Sequence, residues 1–586
     1  MRLFIAVLAS SAILAGYARS AERYFQDAAL HAVQFVDGQE GWAVGDEGTI
    51  WHTINGGQNW ERQPSGVAAS LRSVCFLNPY IGWIVGREEL PNAEPSGVSS
   101  RSVGVLLFTK DGGLTWRQTA LNTLPGLNSV RFLDVKIGFV VGDGAEQSPA
   151  GVYRTTDSGR TWQPIPGPRF PGWLAMDFQD KENGAFAGSW SRLGILRGSE
   201  ISPSDVDSLG GRAIREVKIM GKDAVAVGQG GLVLVSRNLG GARWTYVDLQ
   251  LPTNLQAEWD FHAVSCAGDH IWTAGRPGSA VLHSSDRGQT WEMLSTEQPL
   301  PLNGLFFADK DHGWAVGEFG TILATVDGGK TWKVQQRGGA RAAVLLVHAR
   351  PSGLPVDTVA LLGGQDGYLT TAVQVTAPDP TSANIGHAQD PSRLAAAVRK
   401  AGGAAGEMFW QFPISQHLAR ADEREILKDW DRLHSDRSSE ALLRHLVLSI
   451  RMWRPDVIIT DFPDSKISGW TSDSLIVQAL REAFNQAADD KTFSDQLSLG
   501  LKPWPVSKLY ARWPSAPGAE IALGLNDPSP RLSGTPRDFA EPAAALLADQ
   551  ALPAQRFFHL LETRIEGAEN HRNLMQGVNL AAGGTA

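Results

Sequence analysis

The sequence predicts a multidomain chain: a seven-bladed, all-β propeller followed by an α/β domain. Three observations predict this organisation. A phrase of the form Thr-x-Asp-Gly-Gly-x-Thr-Trp recurs along the N-terminal half, a short apolar segment ending in glycine precedes it, and strands alternate with helices after about residue 337. A pattern that recurs at a long, regular interval is typical of repeat architectures, and units of four short strands are typical of propeller blades.

The spacing of the phrase predicts the number of blades. Copies begin at Thr53, Thr109, Thr155, Ser236, Ser284 and Thr325. The interval between the third and fourth copies is about twice the others, so we expect a further unit there that has lost its phrase. Its strands are predicted at 173–178, 184–188 and 194–197. Seven units of about 45 residues then fill residues 25–337, with four strands in each.

The third residue of each phrase is acidic or an asparagine, and we expect these side chains to hold turns together. Side chains of this kind bond turn N–H groups, and the glycine that follows tolerates a positive φ. Each turn offers one carboxylate at most, far fewer than the ligands of a calcium loop. The turn residues are Asn55, Asp111, Asp157, Asn238, Asp286 and Asp327.

The inner strand of each blade is expected to line a central channel. The second position of that strand is polar in six of the seven units, with Leu174 as the exception. A ring of polar side chains near one mouth of the channel suggests a ligand-binding surface, and a ring that is only solvated remains the alternative. The six candidate binding residues are His31, Arg72, Asn128, Arg215, His262 and Asn303.

The repeated phrase resembles the Asp-box (BNR) repeat of sialidases, sortilin and other propellers. The longer pattern at 313–332, Gly-Trp-Ala-Val-Gly followed by Thr-Ile and by Thr-Val-Asp-Gly-Gly-Lys-Thr-Trp, is similar to the photosystem II assembly and stability factors. That resemblance covers about 310 residues. It implies an exported seven-bladed propeller that assists the assembly of membrane-protein complexes without catalysis.

The C-terminal region is predicted as an α/β domain over 340–515 and an extension over 516–586. Strands are expected at 342–347, 356–362, 368–375 and 454–461, and helices at 391–401, 424–453 and 472–488. Strands that alternate with helices favour a parallel sheet. In the extension we expect a helix near 554–566 and a disordered tail at 581–586.

A second resemblance covers roughly 340–515. A strand that ends in His-Ala-Arg-Pro and a later Arg-Pro-Asp-Val-Ile-Ile-Thr-Asp are similar to the PIG-L (LmbE-like) zinc N-deacetylases. The family's Ala-His-Pro-Asp-Asp is replaced here by residues 349–353, Ala-Arg-Pro-Ser-Gly, and its later histidine position falls near 469–473, where no histidine exists. His348 and Asp461 do not supply the three ligands of a catalytic zinc. The resemblance therefore implies a degenerate, non-catalytic domain with no metal.

Composition and charge limit the class of protein and its compartment. A net charge of −9 argues against a nucleic-acid partner. Residues 1–20 have the pattern of a signal peptide, and no later stretch is long and apolar enough to cross a membrane. We therefore expect an exported monomer, periplasmic or extracellular. Cys75 and Cys266 fall in different blades and are expected to be free thiols.

Two functions remain open from the sequence. The first is a non-catalytic scaffold that binds a protein or glycan in the cell envelope and needs no cofactor. The second is a carbohydrate-active enzyme, either a glycan hydrolase on the propeller or a PIG-L-type deacetylase with an atypical site. A hydrolase needs paired carboxylates across a cleft, and only Asp177 and Glu216 stand out on the inner strands. We favour the scaffold.

Overall fold

The computed structural model of the chain describes residues 25–91, 102–120, 124–146, 148–169, 172–204, 206, 209–238, 243–378, 391–547 and 552–580. The expected signal peptide at 1–20 and the expected tail at 581–586 lie outside these residues. Within them the chain forms seven four-stranded antiparallel sheets and one seven-stranded sheet.

The first four blades follow one another along the chain. Blade 1 contains β1 (Leu30–Phe35), β2 (Gly41–Gly45), β3 (Thr49–Thr53) and β4 (Glu61–Pro64). Blade 2 contains β5 (Ser70–Phe76), β6 (Gly82–Glu89), β7 (Ser102–Thr109) and β8 (Arg117–Thr119). Blade 3 contains β9 (Leu127–Phe132), β10 (Gly138–Gly142), β11 (Val152–Thr155) and β12 (Gln163–Pro164). Blade 4 contains β13 (Trp173–Phe178), β14 (Asn183–Gly188), β15 (Leu193–Arg197) and β16 (Glu200–Pro203).

The last three blades complete the propeller. Blade 5 contains β17 (Ile214–Met220), β18 (Asp223–Gly228), β19 (Leu232–Ser236) and β20 (Thr245–Tyr246). Blade 6 contains β21 (Asp260–Ala267), β22 (His270–Arg276), β23 (Ala280–Ser284) and β24 (Glu292–Ser295). Blade 7 contains β25 (Leu302–Phe307), β26 (Gly313–Gly317), β27 (Ile322–Thr325) and β28 (Lys333–Gln336). The prediction of seven blades, including the one without a phrase, is confirmed.

Aromatic stacking joins most neighbouring blades. The phenylalanine that ends the inner strand of one blade stacks on the aromatic ring in the second strand of the blade before it. The ring centroids of Phe76 and Trp42 are 3.5 Å apart. Those of Phe35 and Trp314 are 3.6 Å apart, and this stack joins the first blade to the last. The other three stacks are Phe132 on Trp83, Phe178 on Phe139 and Phe307 on Trp272. Face-to-face contact at this distance adds to the apolar burial that holds the blades together.

A glycine at the start of the second strand leaves room for each of these phenylalanines. A Cβ atom at Gly82 would lie 2.5 Å from the Phe76 ring, and one at Gly41 would lie 2.6 Å from Phe35. Glycine is therefore required there by close packing. It is not a turn residue at this position.

The phrase closes the turn between the third and fourth strands through its own side chains. In the last blade, Thr325 Oγ1 donates to Asp327 Oδ1 at 2.8 Å, and the backbone N–H of Thr331 donates to the same oxygen at 2.9 Å. Asp111, Asp157 and Asp286 accept equivalent bonds, and Asn55 does so with its amide oxygen. The turn that follows Asn238 lies partly outside the described residues.

The C-terminal region forms one seven-stranded mixed sheet flanked by helices. Its strands are β29 (Val344–His348), β30 (Thr370–Gln374), β32 (Ala405–Met408), β34 (Val457–Thr460), β35 (Lys508–Trp513), β36 (Ile521–Gly524) and β37 (Gln555–Thr563). The short strands β31 (Ala377–Pro378) and β33 (Pro413–Ile414) pair separately. The spatial order is β32-β30-β29-β34-β35-β37-β36, in which the first five strands are parallel and β37 is antiparallel to both its neighbours.

Helices cover both faces of this sheet. One helix precedes the domain, α1 (Thr253–Glu258), between blades 5 and 6. The others are α2 (Val356–Val359), α3 (Pro391–Lys400), α4 (Glu423–Asp431), α5 (Ser438–Trp453), α6 (Ser465–Ser468), α7 (Thr471–Gln486), α8 (Ser494–Ser498) and α9 (Pro536–Ala544). Side chains of α4, α5 and α7 form one apolar core, and those of α2, α3 and α9 form the other. None of the helices described here combines the length and the hydropathy that crossing a bilayer requires.

Several details of the predicted domain are wrong. Residues 356–362 are helical, not a strand, because a short, fully buried apolar run has no periodicity that separates the two states. Residues 554–566 contain strand β37, not a helix, since pairing with β35 and β36 overrides local preference. The expected boundary at residue 515 does not separate two units, because β36 and β37 belong to the same sheet. The predicted helix at 424–453 is two helices, α4 and α5.

The close approach of Gly82 to the Phe76 ring predicts that a larger residue at position 82 destabilises the propeller. We expect Gly82→Ala to lower the free energy of unfolding by about 2 kcal/mol, since the new methyl overlaps a ring that the Trp42 stack holds in place. Blade 5 shows how the clash is avoided: Ile219 stands opposite Ala224 there. In a Phe76→Ile background the same substitution should cost less than half as much. Denaturant unfolding of the unmodified protein, the two single variants and the double variant measures the coupling free energy between the two positions. An equal loss of stability from Gly82→Ala in both backgrounds would contradict the predicted clash with Phe76.

Candidate functional site

Seven β-bulges form the ring of side chains in the channel. In every blade the pairing of the inner strand with the second strand skips one residue, and that residue is always the one at the repeat position that the sequence analysis singled out. A bulge leaves one residue out of the ladder and re-aims its side chain. The skipped residues are His31, Arg72, Asn128, Leu174, Arg215, His262 and Asn303. The structure therefore places all six sequence-predicted binding residues in one ring.

Four members of this ring bond to their surroundings. His31 Nε2 lies 2.9 Å from Asp46 Oδ1, and Asn128 donates to the carbonyl of Trp173 at 2.8 Å. His262 Nδ1 lies 3.1 Å from the amide oxygen of Asn303. The contacts of Asn128 and His262 also link neighbouring blades, whereas the contact of His31 lies within blade 1.

A second polar ring, which the sequence analysis missed, follows the glycine that ends the second strand. Its members are Asp46, Arg87, Asp143, Ser189, Gln229, Arg276 and Glu318. Arg87 pairs with Asp143 of the next blade at 2.8 Å, so the ring also joins blades. This ring could have been predicted from the sequence, because all seven residues directly after this glycine are polar.

The α/β domain covers the channel mouth at which both rings lie. Arg399 of α3 pairs with Asp46 at 3.1 Å, on the carboxylate that also contacts His31. Glu407 of β32 pairs with Arg276, whose Nη2 donates to Ser449 of α5 at 2.9 Å. Trp453 packs against Phe319. The candidate binding ring therefore lies beneath the second domain and does not face bulk solvent on that side.

Further contacts fix the domain to blades 5 and 6. Trp410 Nε1 donates to Asp260 at 3.1 Å, and Asp260 also accepts from the backbone N–H of Gly230 at 2.8 Å. Arg444 pairs with the buried Glu258, which also accepts from Gln496 at 3.1 Å. Buried groups on both sides of this boundary are thus satisfied only when the two domains are together.

The covered channel encloses a chamber of about 600 Å³. All six predicted ring residues line it, together with the inner-strand residues below them and with α3 and β32 above them. The volume falls within the range of small-molecule sites. Chemically the chamber is a polar cavity with carboxylate, imidazole and guanidinium groups in its wall.

Burial dominates the electrostatics of the chamber. Burial alone would raise the pKa of Asp46, but Arg399 and His31 outweigh it and hold that pKa well below its usual range. Burial raises the pKa of Glu318 to about 7, although Asn303 donates a hydrogen bond to it. Burial, and then the nearby Arg215, lower the pKa of His262 to about 3, so this imidazole is neutral at physiological pH.

A second polar cluster lies at the carboxyl ends of β29, β34 and β35. Asp461 Oδ1 lies 2.9 Å from His348 Nδ1 and 2.8 Å from Arg512. Arg350 makes two bonds of 2.9 and 2.6 Å to Asp473 and stacks on Trp470. Among the described residues no three or more His, Cys, Asp or Glu side chains form a group that could hold a metal ion. Each carboxylate of the cluster is paired with an arginine, Asp461 with Arg512 and Asp473 with Arg350, which does not suit the zinc that the PIG-L resemblance implies.

The propeller region matches the sequence profile of a known family. The profile described as "Photosynthesis system II assembly factor YCF48" aligns with residues 24–166 and 216–305, which hold blades 1–3, most of blade 5 and all of blade 6. The Photosystem II assembly lipoprotein Ycf48 of Synechococcus sp. (strain CC9902) is 24% identical over 299 residues, which is 50% of this chain and 69% of the relative. The propeller is YCF48-like. The gap in the profile match contains blade 4, the one without a phrase.

Another relative and one solved structure show the same likeness. The Photosystem II assembly protein Ycf48 of Thermosynechococcus vestitus (strain NIES-2133 / IAM M-273 / BP-1) is 26% identical over 321 residues, 47% of this chain and 74% of its own length. The solved structure titled "YCF48 bound to D1 peptide" has a TM-score of 0.41 at 22% identity and covers 52% of this chain and 94% of its own. The names of both relatives describe them as photosystem II assembly proteins.

The raised pKa of Glu318 in the YCF48-like propeller predicts a pH-dependent stability. Unfolded, the carboxyl titrates near 4.5, and folded near 7, so its contribution to stability is lost as the pH rises between these values. We expect Glu318→Gln, which keeps an acceptor for Asn303, to stabilise the protein by about 1–2 kcal/mol at pH 8 and by almost nothing at pH 4.5.

Thermal unfolding across this pH range measures the effect. Glu61→Gln, on the exposed outer strand of blade 1, is the matched control and should change stability equally at both pH values. A Glu318→Gln effect that is the same at pH 4.5 and pH 8 would show that the carboxyl is not perturbed.

Proposed function

We propose that this chain is a non-catalytic, exported assembly factor that binds a protein partner. The observation that carries this proposal is the match of five blades to the profile of YCF48 assembly factors. The names of the relatives place them in photosystem II assembly. For this chain the proposal is the general role, in which a propeller holds another polypeptide while a complex forms.

The partner binds the face of the propeller opposite the α/β domain. That face consists of the turns between first and second strands and the phrase turns, which bond to each other: Gly56 N–H donates to Gln39 at 2.8 Å and Gly112 N–H to Tyr80 at 3.0 Å. Five exposed apolar side chains lie in these turns on four consecutive blades. They are Val326 in blade 7, Ile54 in blade 1, Tyr80 and Leu114 in blade 2, and Val135 in blade 3. Exposed apolar surface of this kind favours a protein partner over a glycan.

The alternative of a glycan hydrolase finds little support in the chamber. Asp177 lies 3.6 Å from Arg131 and accepts a hydrogen bond from the backbone N–H of Ile219. Glu216 lies 3.2 Å from Lys218. Both carboxylates are therefore engaged in ion pairs, whereas a hydrolase needs one acid and one base directed at a substrate.

Export is proposed from the sequence of the first 20 residues, which has the pattern of a signal peptide. The name of one relative, a lipoprotein, fits an exported protein. The compartment, periplasmic or extracellular, remains part of the proposal, as does a monomeric state.

Capture of the partner tests which face binds it. We expect Tyr80→Ser combined with Leu114→Ser to reduce capture from the native envelope fraction at least five-fold, because both side chains are about two-thirds or more exposed on the proposed face. Leu433→Ser combined with Ile467→Ser is the matched control, since these equally exposed side chains lie on the α/β domain. Quantitative mass spectrometry of the bound fraction gives the readout. An equal loss of captured partner in both double variants would contradict the assignment of the partner to this face of the propeller.

Metal analysis tests the hypothesis that the α/β domain is non-catalytic. We expect the purified chain, dialysed against zinc, to retain less than about 0.1 zinc per chain, because Arg350 and Asp473 neutralise each other where metal ligands would be needed. The double variant Arg350→His, Asp473→His is the informative comparison, since it adds imidazoles at both positions. Stoichiometric zinc in the unmodified chain, measured by plasma mass spectrometry, would overturn the non-catalytic reading.

A further inference from the structure

Arg72 and Arg215 differ from the rest of the ring. Neither guanidinium makes a hydrogen bond or an ion pair with any described residue, and the Nε of each is buried without a partner. The other cations of the chamber wall each lie within 4 Å of a carboxylate: Arg131 on Asp177, Lys218 on Glu216, Arg276 on Glu407 and Arg399 on Asp46. Both side chains are partly buried, and a guanidinium whose Nε is buried without a partner is unfavourable unless something satisfies it.

The nearest carboxylates are already used by other groups. Asp46, the closest negative charge to Arg72, binds Arg399, His31 and the hydroxyl of Ser70. Near Arg215, Asp260 accepts from Gly230 and Trp410, and Glu407 pairs with Arg276. Burial lowers the pKa of Arg72 to about 10, which still leaves it charged at neutral pH.

The two guanidinium groups stand on opposite sides of the chamber. Arg72 belongs to blade 2 and Arg215 to blade 5, and three blade steps is the greatest separation in a ring of seven. Both occupy the same bulge position, so they lie at the same depth below the α/β domain. The chamber between them holds about 600 Å³, enough for a small organic molecule.

We propose that the chamber binds a small dicarboxylate, with one carboxylate on Arg72 and the other on Arg215. A guanidinium fork matches the geometry of a carboxylate. A singly charged group at each end fits better than a phosphate, because Asp46 at one end and Asp260 and Glu407 at the other would repel a denser negative charge. The site is distinct from the proposed protein-binding face and does not depend on it.

Calorimetry on the full chain tests the proposal with a series of dicarboxylates from malonate to adipate, and with acetate and chloride as monovalent anions. We expect one length to bind at least ten-fold more tightly than acetate, because only that length spans both guanidinium groups. Arg72→Gln and Arg215→Gln should each weaken that ligand at least ten-fold. Arg131→Gln, which removes a chamber cation that already has a partner, should change affinity less than two-fold.

Two outcomes would overturn the proposal. One is dicarboxylate binding no tighter than acetate or chloride, which would show that solvent or a simple anion satisfies the two arginines. The other is tight binding that Arg72→Gln and Arg215→Gln leave unchanged, which would place the ligand elsewhere. Circular dichroism and thermal unfolding of both variants establish that they fold. Partner capture is measured separately on the same variants and should be unchanged, because the partner is proposed to bind the opposite face of the propeller.

Discussion

The structure depends on one repeated contact, the stacking of a phenylalanine from one blade on an aromatic ring of the blade before it. The contact is possible only because a glycine at the start of the second strand leaves room for the phenylalanine ring, as Gly82 does for Phe76. Its last instance, Phe35 on Trp314, joins the first blade to the last and closes the ring. A closed ring packs every blade between two neighbours, and it fixes the seven bulges around one axis. The polar channel is therefore a consequence of aromatic packing outside it.

The second domain covers one mouth of this channel and forms one wall of the chamber. Its contacts combine ion pairs with apolar packing, since Leu300 and Phe319 of the propeller belong to the same core as α5 and α7. Buried ion pairs contribute little net stability, but breaking one leaves a costly buried charge. The apolar packing therefore supplies most of the attraction, while pairs such as Arg399 with Asp46 fix the orientation. A large molecule cannot reach the ring from this side while the domains are together, which separates a protein-binding face from a small-molecule chamber.

The sequence predicted what local contacts determine. The blades, including blade 4 with its lost phrase, follow from strand and turn patterns that repeat along the chain, and the polar ring follows from one position in each repeat. The sequence could not show that the α/β domain covers this ring, because that domain lies far along the chain. Its contact with Asp46 is an ion pair made by Arg399. The bulges were also hidden, since no residue type marks them. Residues 356–362 and 554–566 were assigned the wrong structure because tertiary packing decided between strand and helix there.

The distribution of contacts around the ring gives the second domain a structural role as well. Stacked aromatic pairs join five of the seven blade interfaces. The two without them lie on either side of blade 5, where Ile219 and Cys266 of the inner strands stand in place of the phenylalanine. On this side the domain binds Asp260 and Glu258 through Trp410 and Arg444. These bonds hold the entry to blade 6 against a rigid α/β core. The domain therefore reinforces the ring at one of the two interfaces where the repeated contact is missing, the one between blades 5 and 6.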